Sequence, residues 1–180
     1  MRTRRLICLL LGAWLGGSVF MFFVATQNFR GVERVLAEPP EPVAAHIEAL
    51  GHAPLRALLR YQVSELNRFY FSAWEIAQMT LGLAVLLLLL FATKAGRLAL
   101  ILAGTALVLL AVMHWGLTQQ ITQIGRDLDF LDPDEALNLR QRFWSLHNLY
   151  SSLEVAKFLA IAALSGLLLF GKYRRNGESR

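Results

Sequence analysis

His147, Ser151, Glu154 and Lys157 stand four, three and three residues apart, which lines them along a stripe of about three turns on a helix. Arg68, Ser72, Glu75 and Gln78 repeat that spacing in an earlier segment, and His114 and Thr118 lie one turn apart in a third. Three chemistries are open to this set. The imidazoles of His114 and His147 with the carboxylates of Glu75 and Glu154 would suit a borderline divalent metal ion, and the histidines alone a haem. Glu75, Glu154 and Lys157 are groups that an ion- or proton-coupled carrier uses. The plainest reading makes Arg68, Glu75, Gln78, His114, His147, Ser151, Glu154 and Lys157 hydrogen-bonding ties between helices around a small wet cavity.

The spacing limits the first two readings. No H-x-x-x-H or E-x-x-H pair occurs, so metal ligands would have to converge from separate helices. No polar path continues beyond this set through the other half of the helices, and no broken helix of the transporter kind is present. His46 and His52 read as solvated surface. The chain has no G-x-S-x-G, H-E-x-x-H, nucleotide-binding glycine loop or C-x-x-C, so nothing in it marks an enzyme.

The elements that carry these residues are apolar. Of 180 residues, 56% are hydrophobic and only 17% charged, and the apolar ones come in blocks. A spanning helix needs ~20 mostly apolar residues, range ~17–25, and Leu6–Ala25, Ile76–Thr93, Leu98–Trp115 and Phe158–Phe170 all qualify if the last includes its lead-in Leu149–Val155. In lipid a helix satisfies its own backbone hydrogen bonds, so each block is expected to be helical. The expected spans are 6–26, 72–93, 97–116 and 150–171, joined by segments 27–71 and 117–149 in a single membrane domain. A charge at a helix centre costs ~2.5–3.5 kcal/mol, less near the interface, where Glu75 and Glu154 are expected to reach headgroup water. Lys157 is a turn deeper, with snorkelling past Glu154 or a pair with Glu75 across helices open to it.

Charge placement orients the spans. The net charge is +5, but nine basic residues flank the short turn and the two termini, opposed only by Glu178. The long connections hold eight basic residues against ten acidic ones. This distribution argues against nucleic acid and, by the positive-inside rule, puts both termini and the short turn in the cytoplasm. "MRTRR" before an apolar run is signal-like, but the run is about twenty residues long and its end, "FFVATQN", lacks a good A-x-A site because Phe23 takes the −3 position, so the first span is expected to be retained. Cys8, the sole cysteine, can form no intramolecular disulfide.

Beyond the spans, "EPPEP" at 38–42 breaks the first helix, "VAAHIEAL" forms a short one ending at Gly51, and Pro54 opens a helix running to Thr93. That makes about 40 residues, or ~60 Å, twice the hydrocarbon thickness. Asp132, Pro133, Asp134 and Glu135 suit the start of a second long helix ending near Gly171. A small helical cap outside the membrane is therefore expected. Phe69, Tyr70, Phe71, Trp74, Trp115, Trp144, Tyr150 and Tyr173 read as interfacial belts. Gly12, Ala13, Gly16 and Gly17 in "LGAWLGGSVF" allow close helix approach, either inside the bundle or in a homodimer or with another membrane protein. The mid-span indole of Trp14 needs a partner, either a neighbouring carbonyl or Thr105.

"LGAWLGGSVFMFFVATQNFR", "RYQVSELNRFYFSAWEIAQMTLG" and "RQRFWSLHNLYSSLE" resemble bacterial members of domain-of-unknown-function family 4149. These are small four-span membrane proteins with a W-x-G first helix and an F-x-x-L-H approach to the last, matched here by Phe143 to His147. The resemblance implies a four-helix integral membrane protein without an established activity, and it draws attention to His147.

Overall fold

The computed structural model describes residues 2–129, 131 and 136–170. Among these the chain forms α1 (Arg2–Ala37), α2 (Glu41–Leu50), α3 (His52–Phe91), α4 (Arg97–Ala111), a π-helical segment (Val112–Thr118), α5 (Gln119–Leu128) and α6 (Leu137–Phe170). Four continuous helices are long and apolar enough to cross a membrane: Arg2–Ala37, His52–Phe91, Arg97–Leu128 and Leu137–Phe170. Among the described residues the protein is all-helical, with the four long apolar helices of a multi-pass membrane protein. The start proposed for the last helix, at Asp132–Glu135, lies outside the described residues.

Two boundaries follow from local chemistry. Gly51 sits at φ 81°, a conformation that L side chains rarely adopt, and its N–H closes α2 on the Ile47 carbonyl. The chain turns there directly into α3, which starts at His52, close to the expected Pro54. The third span departs from expectation. Rather than ending near residue 116 with a separate segment after it, the helix continues to Leu128 through the π segment.

The packing scheme decides what can meet. α1 lies against α3 and α6, and α4 lies against the same two. α3 and α6 therefore occupy opposite corners of the bundle. One half of the interior is apolar: Ile7 and Leu11 of α1, Val85 and Leu89 of α3, Ala99, Ala103, Ala106 and Leu110 of α4, and Ile161, Leu164 and Leu168 of α6. The buried alanines of α4 recur every three or four residues, a small-residue stripe that lets neighbouring backbones approach.

α1 and α3 interlock through two tryptophans. A Cβ on Gly17 would fall 2.1 Å from the Trp74 ring, and one on Gly82 would fall 2.6 Å from the Trp14 ring. Each helix thus sets an indole into the gap left by a glycine of the other. Gly17 packs inside the bundle. Gly12, Ala13 and Gly16 do not: all three are exposed, with nothing within 4 Å of a Cβ on Gly12 or Gly16.

Candidate functional site

Above the apolar half, polar side chains from all four spanning helices converge. Glu75 and Lys157 are completely buried and Gln78 is 1% exposed. The Gln78 Oε1 accepts the Trp14 indole N–H at 2.8 Å and a hydrogen bond from the Lys157 ammonium. Both donors need an acceptor, so chemistry fixes the amide with its oxygen facing them. Lys157 Nζ also donates to Glu154 Oε2 at 2.6 Å, one turn earlier on α6. Trp14 thus finds its partner in a side-chain amide, whereas Thr105 is exposed.

Glu75 collects three donors. His114 Nδ1 lies 2.7 Å from Oε2, while the Thr118 hydroxyl at 2.6 Å and the Tyr150 hydroxyl at 2.9 Å both reach Oε1. His114 donates to the carboxylate with its proton on Nδ1. Thr118 Oγ1 also lies 3.1 Å from the Met113 carbonyl, and its single proton serves the nearer carboxylate. The π segment contains both His114 and Thr118, so the wider turn presents two donors of the third span to one carboxylate.

Lys157 does not pair directly with Glu75. It ties α6 to α3 across the diagonal through Gln78, and Tyr150 ties the same corners through Glu75. Tyr150, read as a belt residue, is a member of the site, seven residues from Lys157 and on the same helical face. Glu154 keeps a partly open position, its side chain 29% exposed.

Three expected members lie elsewhere. His147 is exposed and stacks on the Phe143 ring, with centroids 5.8 Å apart. Ser151 is exposed and donates to the His147 carbonyl. The cause is helical drift: steps of four, three and three residues leave Lys157 rotated about 80° from His147 at roughly 100° per residue. With Lys157 aimed at the bundle centre, His147 points away from it. Arg68 turns to the polar ends of the helices, donating to Glu65 at 2.6 Å and to Asp129 at 2.8 Å. Among the described residues, no three His, Cys, Asp or Glu side chains come together to hold a metal ion. His114 and Glu75 meet, but His147 does not join them.

The polar ends carry networks of their own. Arg126 and Arg68 both hold Glu65, and Glu33 takes Arg56 and Arg60 from across α1 and α3. Hydrogen bonds from Arg126 first, and then Arg68, hold the Glu65 carboxyl down at about 2 against partial burial. Asn28 donates to the buried Asn67 at Oδ1, 2.7 Å away, a tie between α1 and α3 that no motif marks. Asn67 is eight residues before Glu75, close to the same face, which is the only signal the sequence offers for it. In comparisons with protein-family models, curated proteins and solved structures, no match to this chain was found.

Proposed function

We propose that this chain is a non-enzymatic structural or partner-binding component of a bacterial cytoplasmic membrane, akin to domain-of-unknown-function family 4149. Both termini lie in the cytoplasm, and the polar ends of α1, α3, α5 and α6 form, with α2, an extracytoplasmic cap. The distribution of Lys and Arg between the flanks and the long connections supports this orientation.

One observation carries the structural reading: the buried residues Asn67, Glu75, Gln78 and Lys157 take their partners from within the bundle. Glu75, Gln78 and Lys157 join all four spanning helices, and each is bonded to residues of other helices. On the other side of this cluster the interior is apolar from Leu110 to Ile7. Such an arrangement fixes helix rotation, since association within lipid relies on packing and interhelical hydrogen bonds rather than on a hydrophobic force. The outward position of Gly12, Ala13 and Gly16 supports a role for α1 in meeting another membrane helix, either a second copy or a different protein.

The test is native mass spectrometry of protein extracted gently from membranes, after cross-linking in place. A stable complex is expected, and it should weaken when Gly12 and Gly16 are both replaced by Leu. A monomer with no co-purifying chain, together with ion flux in proteoliposomes that depends on Glu75, would refute the reading in favour of a carrier. Cysteine labelling at residues 3 and 46 from the two sides of intact cells tests the orientation.

A further inference from the structure

The α1 and α6 ends farthest from the polar cluster form a separate constellation. Arg4, Arg5 and Cys8 of α1 line a cleft of about 420 Å³ with Leu169 of α6. Arg4 and Cys8 are four residues apart and share a helix face. Arg4 Nη2 donates to the Leu169 carbonyl at 3.0 Å, one of the last-turn carbonyls that has no amide partner within its helix. A guanidinium has five N–H donors, so this bond anchors Arg4 and leaves most of its fork free.

Among the described residues the charge in this cleft is unopposed, with no carboxylate paired to Arg4 or Arg5. Arg56, Arg60, Arg68 and Arg126, at the other end of the bundle, each rest on one. Beside the two guanidiniums stands Leu169, 57% exposed, and the apolar run of α1 begins at Leu6. Two cations at the edge of the hydrocarbon, flanked by an apolar wall, match an anion attached to an acyl chain. Arginine forks favour phosphate, which they engage through paired N–H donors.

We infer that this cleft binds the phosphate group of an anionic phospholipid, with Arg4 and Arg5 on the phosphate oxygens and Leu169 against the acyl chain. The inference does not rest on the proposed function and concerns different residues. A soluble phosphate ester offers the same headgroup chemistry, so the test separates the two sources.

Purified protein in micelles is titrated with phosphatidylglycerol, phosphatidylcholine or glycerol phosphate, and bound species are counted by native mass spectrometry. Phosphatidylglycerol is expected to bind at least about tenfold more tightly than phosphatidylcholine, given about fivefold per arginine near the surface. Arg4→Gln with Arg5→Gln should weaken it roughly twenty-five-fold on the same basis. Arg4→Lys with Arg5→Lys keeps the charge and the fold but loses the fork, and should give an intermediate loss. Lys94→Gln with Arg97→Gln removes equal charge from the turn between α3 and α4, and should leave binding unchanged. An equal loss in that control, or no preference for the anionic lipid, overturns the site. Glycerol phosphate binding as tightly as the lipid overturns the lipid as its ligand.

Discussion

The two halves of the bundle are built from the same four helices but are held together in different ways. In the half containing Ile7, Leu89, Ala103 and Leu164, neighbouring helices fit by shape, with alanines on α4 allowing close approach. In the half containing Glu75, Gln78, His114 and Lys157, the diagonally opposite corners are joined by long side chains across the centre. Shape packing acts between adjacent helices and tolerates small rotations. The polar half acts across the diagonal and depends on each helix presenting one particular residue. The difference predicts that mutations in the polar half are the more damaging, and that their cost follows the number of partners orphaned rather than the volume removed.

The sharpest break is Glu75→Leu. It strands the donors of His114 and Tyr150, leaving Thr118 the Met113 carbonyl, and should cost about 3–5 kcal/mol of stability in a detergent unfolding assay. Glu75→Gln keeps an acceptor oxygen and should cost about half as much. If the two variants match, hydrogen-bond satisfaction is not what the polar half supplies. Lys157→Met follows, at about 2–3 kcal/mol, because Gln78 loses its diagonal partner while Glu154 can still turn to water.

A substitution that touches only shape should cost less. Gly17→Ala drives a methyl into the Trp74 ring, and overpacking of this kind costs about 1–3 kcal/mol. Gly16→Ala, one position away, meets nothing within 4 Å and should be neutral or stabilising by up to about 1 kcal/mol through helix propensity alone. Equal effects at the two glycines would contradict the interlock of Trp74 with α1.

The smallest effect concerns pH and the polar ends. The Glu65 carboxyl is held at about 2 in the folded protein against an ordinary 4.5. A carboxyl depressed on folding stabilises the fold fully above its unfolded value, and that contribution fades as pH falls through the folded one. The ties of α3 to α5 should therefore persist at pH 5 and loosen between pH 4.5 and about 2. Hydrogen exchange in residues 61–70 and 119–128 reads this directly, and Glu65→Gln should remove the part of the pH dependence that Glu65 supplies.

The four apolar helices, the 40-residue α3 and the break after α1 were legible because hydropathy, proline and glycine act locally, although the break covers only 38–40 and α2 already starts at Glu41. Glu75, Gln78, His114, Glu154 and Lys157 were legible as a polar set because an ionisable residue in a membrane helix stands out against its neighbours. Which of them meet was less so. A stripe counted in threes and fours winds around the helix, which is why His147 and Ser151 were grouped with Lys157 yet face outward. Tyr150 was hidden by a second plausible role at the interface. The π segment leaves no periodic signature, since one wide turn shifts the register without changing composition. Asn67 and the outward turn of Gly12 and Gly16 depend on the corner each helix occupies, which no single segment encodes.

The ion pair of Lys157 with Glu154 lies within one helix, and this bears on how the chain enters the membrane. α6 carries its own counter-charge, so the pair can cross the bilayer as a nearly neutral unit before any other span arrives. Glu75 has no cation one turn away on α3, and its donors come from the π segment and α6. The second span therefore stays electrostatically incomplete until the last has been synthesised. Chains truncated before residue 137 should hold α3 loosely and be degraded quickly, a difference that pulse-chase of nascent fragments would measure.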